Sequence, residues 1–573
     1  MTERRASPLL PMTRDEMDAR GWRELDVLLV TGDAYFDHPS HGAAVIGRVL
    51  EAAGYKVGIV ARPDARSTAD FARLGRPALF AGVTAGAVDS IVNNWTADMR
   101  RRRDDAYAPG GRGGDRPDNA TIVYANRVRE AFPGLPVVLG GIEASLRRFV
   151  YFDPRKAAVR RSVLVDSRAD LLVYGAGEAP VLKIAARLSA GRDLAGIPGT
   201  ARLTRDPPVP VPGVDVELPG YEDVAADLRL LVSATEALEA TSRPFFAGRV
   251  RQRHAEGWVV AEPRPDVDLD ELDRIFALPF SRTSHPSYRE PVPALETVRW
   301  SVISHRGCPG GCSFCGLAVH QGRVVSFRSA ASILDEIHAL ARFAGFKGTI
   351  SDVGGPTANA FSAVTSARER CRACRRSSCL HPAICRHLSA DHGPLLAVLD
   401  DASRLSGVRR VLLASGIRHD LALRDPRFVE AIAARHTGGH LKVAPEHVAS
   451  DVLRRMRKPE IGLFEEFERR FLEASRRAGK QQYLVPYFIY GFPGCAAADA
   501  DLTGAWLARR GQRLRQVQGF IPLPGTLAAA LYAARVDEDG SPLFVADPRE
   551  RARQKAMLVM RPAQTVRNGP RRY

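Results

Sequence analysis

The sequence predicts an α/β protein in which an open doubly wound N-terminal domain precedes a partial (β/α)6 barrel. Apolar segments of strand length alternate with helix-like segments from residue 25 onward, and six more such apolar segments follow residue 298. The chain of 573 residues is also too long for one compact core. We therefore expect two or three domains, each with its own hydrophobic interior.

The N-terminal half begins with a strand, a loop, a helix and a second strand, at residues 25–30, 31–42, 43–54 and 55–60. Three more apolar segments, at residues 77–83, 135–141 and 169–175, alternate with helical patterns. This alternation predicts a parallel sheet covered by helices. An amphipathic helix around residues 228–240 and a polar strand-like run after it are assigned to the same domain, residues 20–290.

The second domain is predicted over residues 291–535, with apolar strands at 298–304, 348–355, 408–415, 440–447, 482–491 and 517–525. Helix-length segments separate these strands, as in a parallel barrel. Such barrels place their chemistry at the C-terminal ends of the strands, and a group of cysteines directly follows the first strand. A cysteine-rich insertion at 371–385 and a polar, basic tail at 536–573 complete the division.

The composition narrows the class of protein. With 45% hydrophobic and 26% charged residues, the chain is typical of a globular protein. The apolar segments are shorter than the roughly 18–20 residues that cross a membrane, and the N-terminal residues contain no apolar signal region, so a cytoplasmic location and no membrane partner are expected. The net charge of +17 would attract RNA. Because the excess positive charge comes mostly from arginine in an Ala- and Arg-rich chain, a composition bias is the favoured explanation of that charge.

Seven of the eight cysteines lie between residues 308 and 385, in two close sets. Clustering of this kind in a chain that is not secreted indicates metal binding or catalysis rather than disulfides.

The first set, Cys308, Cys312 and Cys315, has the spacing C-x3-C-x2-C in a Gly-rich loop. Three thiolates hold three irons of a [4Fe-4S] cubane and leave the fourth iron open to S-adenosylmethionine (SAM). An electron from the cluster, supplied by a donor such as a flavodoxin or ferredoxin, then cleaves SAM to methionine and a 5′-deoxyadenosyl radical. Zinc is the alternative, but it lacks a fourth ligand unless His305 or His320 provides one.

A Gly-rich turn follows the second barrel strand and contains Gly354, Gly355, Pro356 and Thr357. Its place one βα unit after the cysteines predicts contact with the amino group of SAM, while an ordinary strand-to-helix turn is the alternative. Glu446 lies at a later strand end in a comparable position.

The second set, Cys371, Cys374, Cys379 and Cys385, has the spacing C-x2-C-x4-C-x5-C. Four thiolates suit a second, closed iron–sulfur cluster or a structural zinc ion, and the alternative is a group of free buried thiols. Placed after the second barrel strand, this insertion is expected over the mouth of the barrel, where it would cover the substrate or relay an electron.

Several stretches together resemble the YgiQ-like family of radical SAM proteins over most of the chain. They are VTGDAYFDHPSHG, GGIEASLRRF, HRGCPGGCSFC, DVGGPTAN, LKVAPEH and YFIYGFPG. The resemblance implies that Cys308, Cys312 and Cys315 hold the cluster and that SAM is its exchangeable fourth ligand. It implies no substrate. The C-terminal end of the chain departs from the longer basic region of that family.

The N-terminal domain resembles the cobalamin-binding modules that often precede radical SAM barrels. The signature of those modules, D-x-H-x-x-G, is out of register here, because Asp37 stands four positions before His41 rather than two. A vestigial or repurposed domain is therefore predicted, with histidine-off cobalamin binding as the alternative. Further charged residues lie at strand ends and helix starts, where surface ion pairs are the expected explanation and substrate binding the alternative. They are Glu143, Arg147, Arg148, Asp166 and Glu178.

The leading hypothesis is a radical SAM enzyme that abstracts hydrogen from an unidentified substrate. The rival hypothesis is a non-enzymatic, RNA-associated protein in which both cysteine sets bind zinc and the basic surface binds phosphates.

Overall fold

The structure, a computed structural model, describes residues 8–265, 268–365, 367–511, 514 and 517–559. Its N-terminal part is built on a nine-stranded sheet with a separate two-stranded hairpin. The strands of this part are β1 (Val27–Thr31), β2 (Val57–Ala61), β3 (Phe80–Thr84), β4 (Val137–Leu139), β5 (Tyr151–Asp153), β6 (Ala158–Arg160), β7 (Leu171–Val173), β8 (Thr200–Thr204), β9 (Val216–Leu218), β10 (Val250–His254) and β11 (Gly257–Ala261).

The strand order in the large sheet is β2-β1-β3-β4-β7-β8-β11-β10-β9. Strands β2, β1, β3, β4 and β7 are parallel, and each falls in a segment predicted from the sequence. β8 and β11 extend the sheet with antiparallel pairs, so the polar strand-like run predicted near the end of this part joins the same sheet. The strand order reverses between β1 and β3, because β2 lies on one side of β1 and the later strands on the other, and open α/β sheets bind ligands at such a point.

Helices cover both faces of this sheet, and strands such as β1, with four apolar residues and Thr31, are therefore buried on both sides. Separate hydrophobic clusters lie on the two faces. The helices are α1 (Arg14–Asp18), α2 (Gly42–Ala52), α3 (Ala69–Ala72), α4 (Ser90–Asn94), α5 (Ala120–Ala131), α6 (Gly141–Leu146), α7 (Val163–Ser167), α8 (Glu178–Ser189), α9 (Tyr221–Ala226), α10 (Arg229–Ala240) and α11 (Leu269–Phe276).

The second part contains short parallel strands in each of the six segments that the sequence predicts, which confirms the predicted α/β fold class. Its strands are β12 (Ser301–Ile303), β13 (His305–Arg306), β14 (Ser326–Phe327), β15 (Thr349–Ile350), β16 (Asp352–Gly354), β17 (Arg410–Val411), β18 (His440–Glu446), β19 (Tyr483–Tyr490) and β20 (Gln518–Gly519). β12 pairs with β16, β15 with β17, β18 with β19 and β19 with β20. A bridge between Ile417 and Val443 links the third and fourth segments.

The helices of this part alternate with the strands. They are α12 (Pro293–Val298), α13 (Gly316–Gln321), α14 (Ala330–Leu340), α15 (Arg368–Arg372), α16 (Gly393–Arg404), α17 (His419–Ala422), α18 (Pro426–Ala431), α19 (Ser450–Met456), α20 (Ile461–Arg477), α21 (Ala497–Arg509), α22 (Leu527–Ala534) and α23 (Pro548–Leu558). In α20 the buried residues Phe464, Phe467 and Phe471 recur at helical spacing, so this helix packs one apolar stripe against the barrel core.

Helix α23 belongs to the segment that the sequence assigns to a polar tail. Arg551 on this helix donates hydrogen bonds to the carbonyl oxygens of Gly491 and Phe520, and Gln554 accepts one from the backbone of Gly491. The first part of the tail therefore packs against the end of β19, and residues 560–573 lie outside the described residues. In the described chain, we find no helix with the length and apolarity needed to span a bilayer.

Candidate active site

The first cysteine set lies on the loop between β13 and α13, beyond the C-terminal end of β12. Two glycines permit its tight course. Gly307 has a φ of +83°, and a Cβ there would collide with the carbonyl oxygen of Val324. Gly311 has a φ of +57°, and a Cβ there would collide with the backbone of Ser377. Only glycine meets both requirements without strain.

Two of the three thiols of this loop lie around the same glycine, and the third is near enough for their charges to act on it. The Sγ atoms of Cys308 and Cys312 lie 3.3 and 3.8 Å from the point that a Cβ on Gly310 would occupy. Burial, and then the charges of Cys312 and Cys308, raise the pKa of Cys315 to about 12. Three partly buried thiolates so close together require a cationic partner, and metal binding provides one by displacing the thiol protons. This donor set fits the three-thiolate side of a cubane cluster.

The histidines that a zinc site on this loop would need are bound elsewhere. Nε2 of His305 lies 3.1 Å from the carbonyl oxygen of Thr357, and Nδ1 of His320 lies 2.8 Å from Oγ of Ser145. Within the described residues, no three His, Cys, Asp or Glu side chains converge closely enough to hold a single metal ion. A cubane spreads its thiolates over separate irons and does not need that convergence.

Two basic side chains from other elements adjoin the cysteine loop. Nη1 of Arg418, just before α17, lies 3.7 Å from Sγ of Cys312. The Arg418 guanidinium is fixed by two hydrogen bonds of 2.9 and 2.6 Å to the carboxylate of Asp420. Burial raises the pKa of Cys308, and the charges of Arg418 and Lys458 oppose that effect. Sequence spacing did not indicate either basic residue.

The turn predicted to contact SAM follows β16. Gly354, Gly355 and Pro356 line a cavity between the two parts of the chain. Gly355 approaches the ring of His305 so closely that a Cβ would meet it at 2.6 Å. Thr357 is buried, and its hydroxyl donates a hydrogen bond of 3.3 Å to the carbonyl oxygen of Gly416.

Glu446 ends β18 with a φ of +72°, a conformation that is uncommon for a residue with a side chain. Its carboxylate lies 3.6 Å from Nζ of Lys458, and burial raises its pKa. The neighbouring His447 lies 3.4 Å from Sγ of Cys495, so the lone eighth cysteine is a buried packing residue.

The second cysteine set lies directly against the first loop. The backbone of Cys379 donates a hydrogen bond of 3.0 Å to the carbonyl oxygen of Pro309, and the Ser378 hydroxyl donates one to Gly310. Burial raises the pKa of Cys379, and the charges of the other three cysteines of the set, Cys385, Cys371 and Cys374, act in the same direction. The four thiols are thus neighbours in space as well as in sequence.

The charged residues expected to form surface ion pairs are buried instead, and all of them except Arg148 form ion pairs there. Arg147 pairs with Asp89 and lies 3.6 Å from Glu143, with all three side chains almost fully buried. Asp166 pairs with two arginines, Glu178 pairs with Arg306 at 2.6 Å, and both carboxylates are buried. Their sequence positions at helix starts did not reveal that helices and loops cover them.

His41 is the histidine of the out-of-register cobalamin motif, and its acidic neighbour in the structure is not Asp37. The carboxylate of Asp37 pairs with Arg48 at 2.5 Å and accepts a hydrogen bond from the backbone N–H of Ser281. Nε2 of His41 instead lies 3.6 Å from Asp33, a residue that the motif spacing did not indicate.

The comparisons with known proteins agree with this architecture. Residues 9–301 match the model of the family "Radical SAM N-terminal". A UPF0313 protein of Geobacter sulfurreducens is 46% identical over 96% of this chain and 92% of its own length. The UPF0313 protein YgiQ of Escherichia coli K12 is 42% identical over 92% of this chain and 79% of its own length.

Among solved structures, the chain is similar to TsrM of Kitasatospora setae, a radical SAM methyltransferase solved with cobalamin and a [4Fe-4S] cluster bound. The TM-score is 0.51 at 18% identity, covering 93% of this chain and 90% of TsrM. At that identity the likeness establishes a shared fold: an N-terminal Rossmann-like sheet followed by a radical SAM region.

Proposed function

This chain belongs to the UPF0313 (YgiQ) family within the radical SAM superfamily, and on that premise we propose that it is a radical SAM enzyme. The observation that carries the proposal is the set of three neighbouring thiols on one Gly-rich loop beyond the first barrel strand. A [4Fe-4S] cluster with SAM at its open iron supplies reductive cleavage of SAM to methionine and a 5′-deoxyadenosyl radical.

The chain's own residues would hold and tune this centre. Cys308, Cys312 and Cys315 provide the thiolates. The positive charge of Arg418 beside Cys312 stabilises the negative charge that the thiolate cluster carries. The turn of Gly354, Gly355 and Pro356 lies at the next strand end, where it would present backbone groups to the amino group of SAM, with Thr357 anchoring the turn from behind.

We propose that the second set, Cys371, Cys374, Cys379 and Cys385, binds a second iron–sulfur cluster, or a zinc ion if its thiols move toward one point, since they do not converge on one in the described residues. Its support is the contact of Ser378 and Cys379 with the first cysteine loop. We also propose that the chain divides into domains at residues 20–290 and 291–535 with a C-terminal segment from 536. A flavodoxin or ferredoxin is the proposed electron donor, because the reaction consumes one electron.

The experiment is anaerobic reconstitution of the full chain with iron and sulfide, followed by metal analysis and an assay for 5′-deoxyadenosine. We expect about four irons per cubane and SAM cleavage that depends on a reductant. Cys312→Ala should lose both, because two thiolates hold a cubane weakly. Cys495→Ala, which alters a buried cysteine outside both sets, is the matched control and should retain both.

Retention of SAM cleavage by the Cys312→Ala protein would reject the cluster assignment. Stoichiometric zinc without iron in the wild-type protein would favour the RNA-associated zinc protein instead.

A further inference from the structure

A cavity of about 820 Å³ lies between the carboxyl edge of the N-terminal sheet and the barrel. That volume is typical of small-molecule sites. Its walls include the loops after β1, β3, β4 and β7 on one side, and Gly354, Gly355 and Pro356 on the other. A molecule in this cavity would therefore touch both the sheet edge and the turn assigned to SAM.

Arg148 is the first of two arginines that flank Tyr174 in this cavity and have no carboxylate partner among the described residues. Its side chain is 5% exposed, and Nη1 donates a hydrogen bond of 2.6 Å to the carbonyl oxygen of Ser145. The guanidinium also lies 4.9 Å from the centre of the Tyr174 ring. Burial lowers the pKa of Arg148 to about 10, and the charge of Arg264 acts in the same direction.

Arg264 is the second. Its guanidinium lies 5.2 Å from the centre of the Tyr174 ring and donates hydrogen bonds to the carbonyl oxygens of His320 and Val319. These two carbonyls belong to α13, the helix that begins directly after Cys315. In the described residues, neither Arg148 nor Arg264 forms an ion pair with an acidic side chain.

The pKa of His320 indicates the sign of the electrostatic potential at this end of the cavity. Burial, and then the charges of Arg264, Arg306 and Arg148, lower its pKa to about 3. The imidazole is therefore neutral, and its Nδ1 shares a hydrogen bond with the Ser145 hydroxyl. Because Arg306 is paired with Glu178, the guanidinium groups of Arg148 and Arg264 are the two that leave this end of the cavity positive.

The carboxylates that line the same cavity do not compensate this charge. Asp33 pairs with Arg116 at 2.7 Å, Glu178 with Arg306 at 2.6 Å, and Asp268 with Arg274 at 2.7 Å. Of the remaining two, Asp352 accepts hydrogen bonds from the backbone of Ala414 and Ser415, and Glu271 interacts with Arg274 and Arg306. No carboxylate of the described residues contributes to the electrostatic environment of Arg148 or Arg264.

A buried guanidinium without a counter-ion costs free energy, and the chain contains enough acidic residues to have paired it. Guanidinium groups bind phosphate and carboxylate oxygens through two parallel hydrogen bonds. We infer that Arg148 and Arg264 bind an anionic group of the substrate, a phosphate or a carboxylate, in the cavity between sheet and barrel. This inference rests on the proposed function, because it places the rest of that substrate toward the SAM turn.

The test measures binding of inorganic phosphate and of succinate to the reconstituted full chain by calorimetry, against chloride at equal ionic strength. Wild type should bind at least one of the two saturably, which also distinguishes phosphate from carboxylate. Arg148→Met and Arg264→Met should each raise the dissociation constant about tenfold. Arg404→Met is the matched control, because Arg404 is exposed on α16 and pairs with Asp401; it should leave binding unchanged.

A thermal melt in each anion separates binding from structure. If Arg148 binds an anion, the rise in melting temperature that the anion produces in wild type disappears in Arg148→Met. A purely structural arginine would instead lower the melting temperature in chloride and leave the anion effect intact. Should Arg148→Met fail to fold, Arg264→Met provides the same comparison, since its side chain is partly open to the cavity.

No saturable binding of either anion to wild type, or equal binding by both variants, would overturn the inference. Iron content and 5′-deoxyadenosine formation are measured on the same wild-type preparation. Active protein that does not bind either anion rejects this inference alone, whereas protein without iron or SAM cleavage rejects the proposed function.

Discussion

At Arg147 a single guanidinium compensates two buried carboxylates, those of Asp89 and Glu143. Glu143 also accepts hydrogen bonds from the backbone of Ser90 and Thr121, which ties α6 to α4 and α5. Arg147→Met should lower the free energy of unfolding by about 3–5 kcal/mol, because it leaves both charges buried without a partner. The measurement is the shift in a denaturation curve.

The control is Arg66→Met, since Arg66 pairs with Asp64 at the surface and is 90% exposed. An exposed pair of this kind contributes about 0–1 kcal/mol. Equal destabilisation by the two variants would show that the buried cluster is not held by Arg147.

Arg418 gives a prediction about the cluster rather than about the fold. Its guanidinium lies 3.7 Å from Sγ of Cys312, so it favours the reduced, more negative form of a cluster there. Arg418→Gln should lower the midpoint reduction potential by on the order of 50–100 mV, measured by a redox titration followed by electron paramagnetic resonance. Arg418→Lys keeps the charge and should shift the potential less. An unchanged potential in Arg418→Gln would exclude this tuning role.

Site residues were predictable from the sequence where they lie close to one another along the chain. Cys308, Cys312 and Cys315 lie within eight positions, and their spacing alone indicated a shared ligand. Arg418 is 106 residues from Cys312, and only the packing of the barrel brings them together. Asp33 was missed because the expected motif places the acid two positions before the histidine, whereas here the neighbour comes from the end of β1.

At the level of elements, the insertion between β16 and α16 lies against the first cysteine loop. Replacing Cys371, Cys374, Cys379 and Cys385 together by Ala should remove one zinc ion or one additional cluster, because all four thiolates of that set are lost. The metal held by the first set should remain. Iron and zinc analysis of the reconstituted variant is the measurement, with Cys495→Ala as control, and an unchanged metal content would show that these four thiols are not ligands.

Most of the strands and helices were predictable from the alternation of apolar and helix-like segments in the sequence. Parallel strands buried on both faces, such as β1, appear as continuous apolar runs and were identified from composition. The antiparallel pair of β13 and β14 was not predicted, since each strand has two residues and their pairing depends on the cysteine loop that separates them. The contact between Ser378 and Gly310 was also not predictable, because it joins two loops without periodic patterns.

For the molecule as a whole, the relative arrangement of the two parts determines which side chains line the cavity. Each part was recognisable from its own sequence, but the cavity is created by the contact between them, and single-sequence patterns carry no information on that contact. Thus Arg148, expected at the surface, lines the cavity, and α13 of the barrel contacts α6, the helix that ends just before this arginine.

The same arrangement supports a prediction about corrinoids, which is that SAM cleavage by this protein does not require one. A corrinoid held through an imidazole needs that ring to project from a loop, with an acid orienting its other nitrogen. Here the ring of His41 stacks on Phe36 at 4.3 Å and is almost fully buried. Its acidic neighbour Asp33 is already neutralised by Arg116 at 2.7 Å, and Asp37 is bound by Arg48.

Full-length protein expressed with ample cobalamin and passed through gel filtration should therefore show no stoichiometric corrinoid in its ultraviolet–visible spectrum. Its rate of 5′-deoxyadenosine formation should be the same with and without added cobalamin. His41→Ala is the informative variant, because it removes the imidazole and leaves the cysteine loop unaltered. Corrinoid retained by wild type and lost from His41→Ala would contradict the prediction and make methyl transfer the leading reaction.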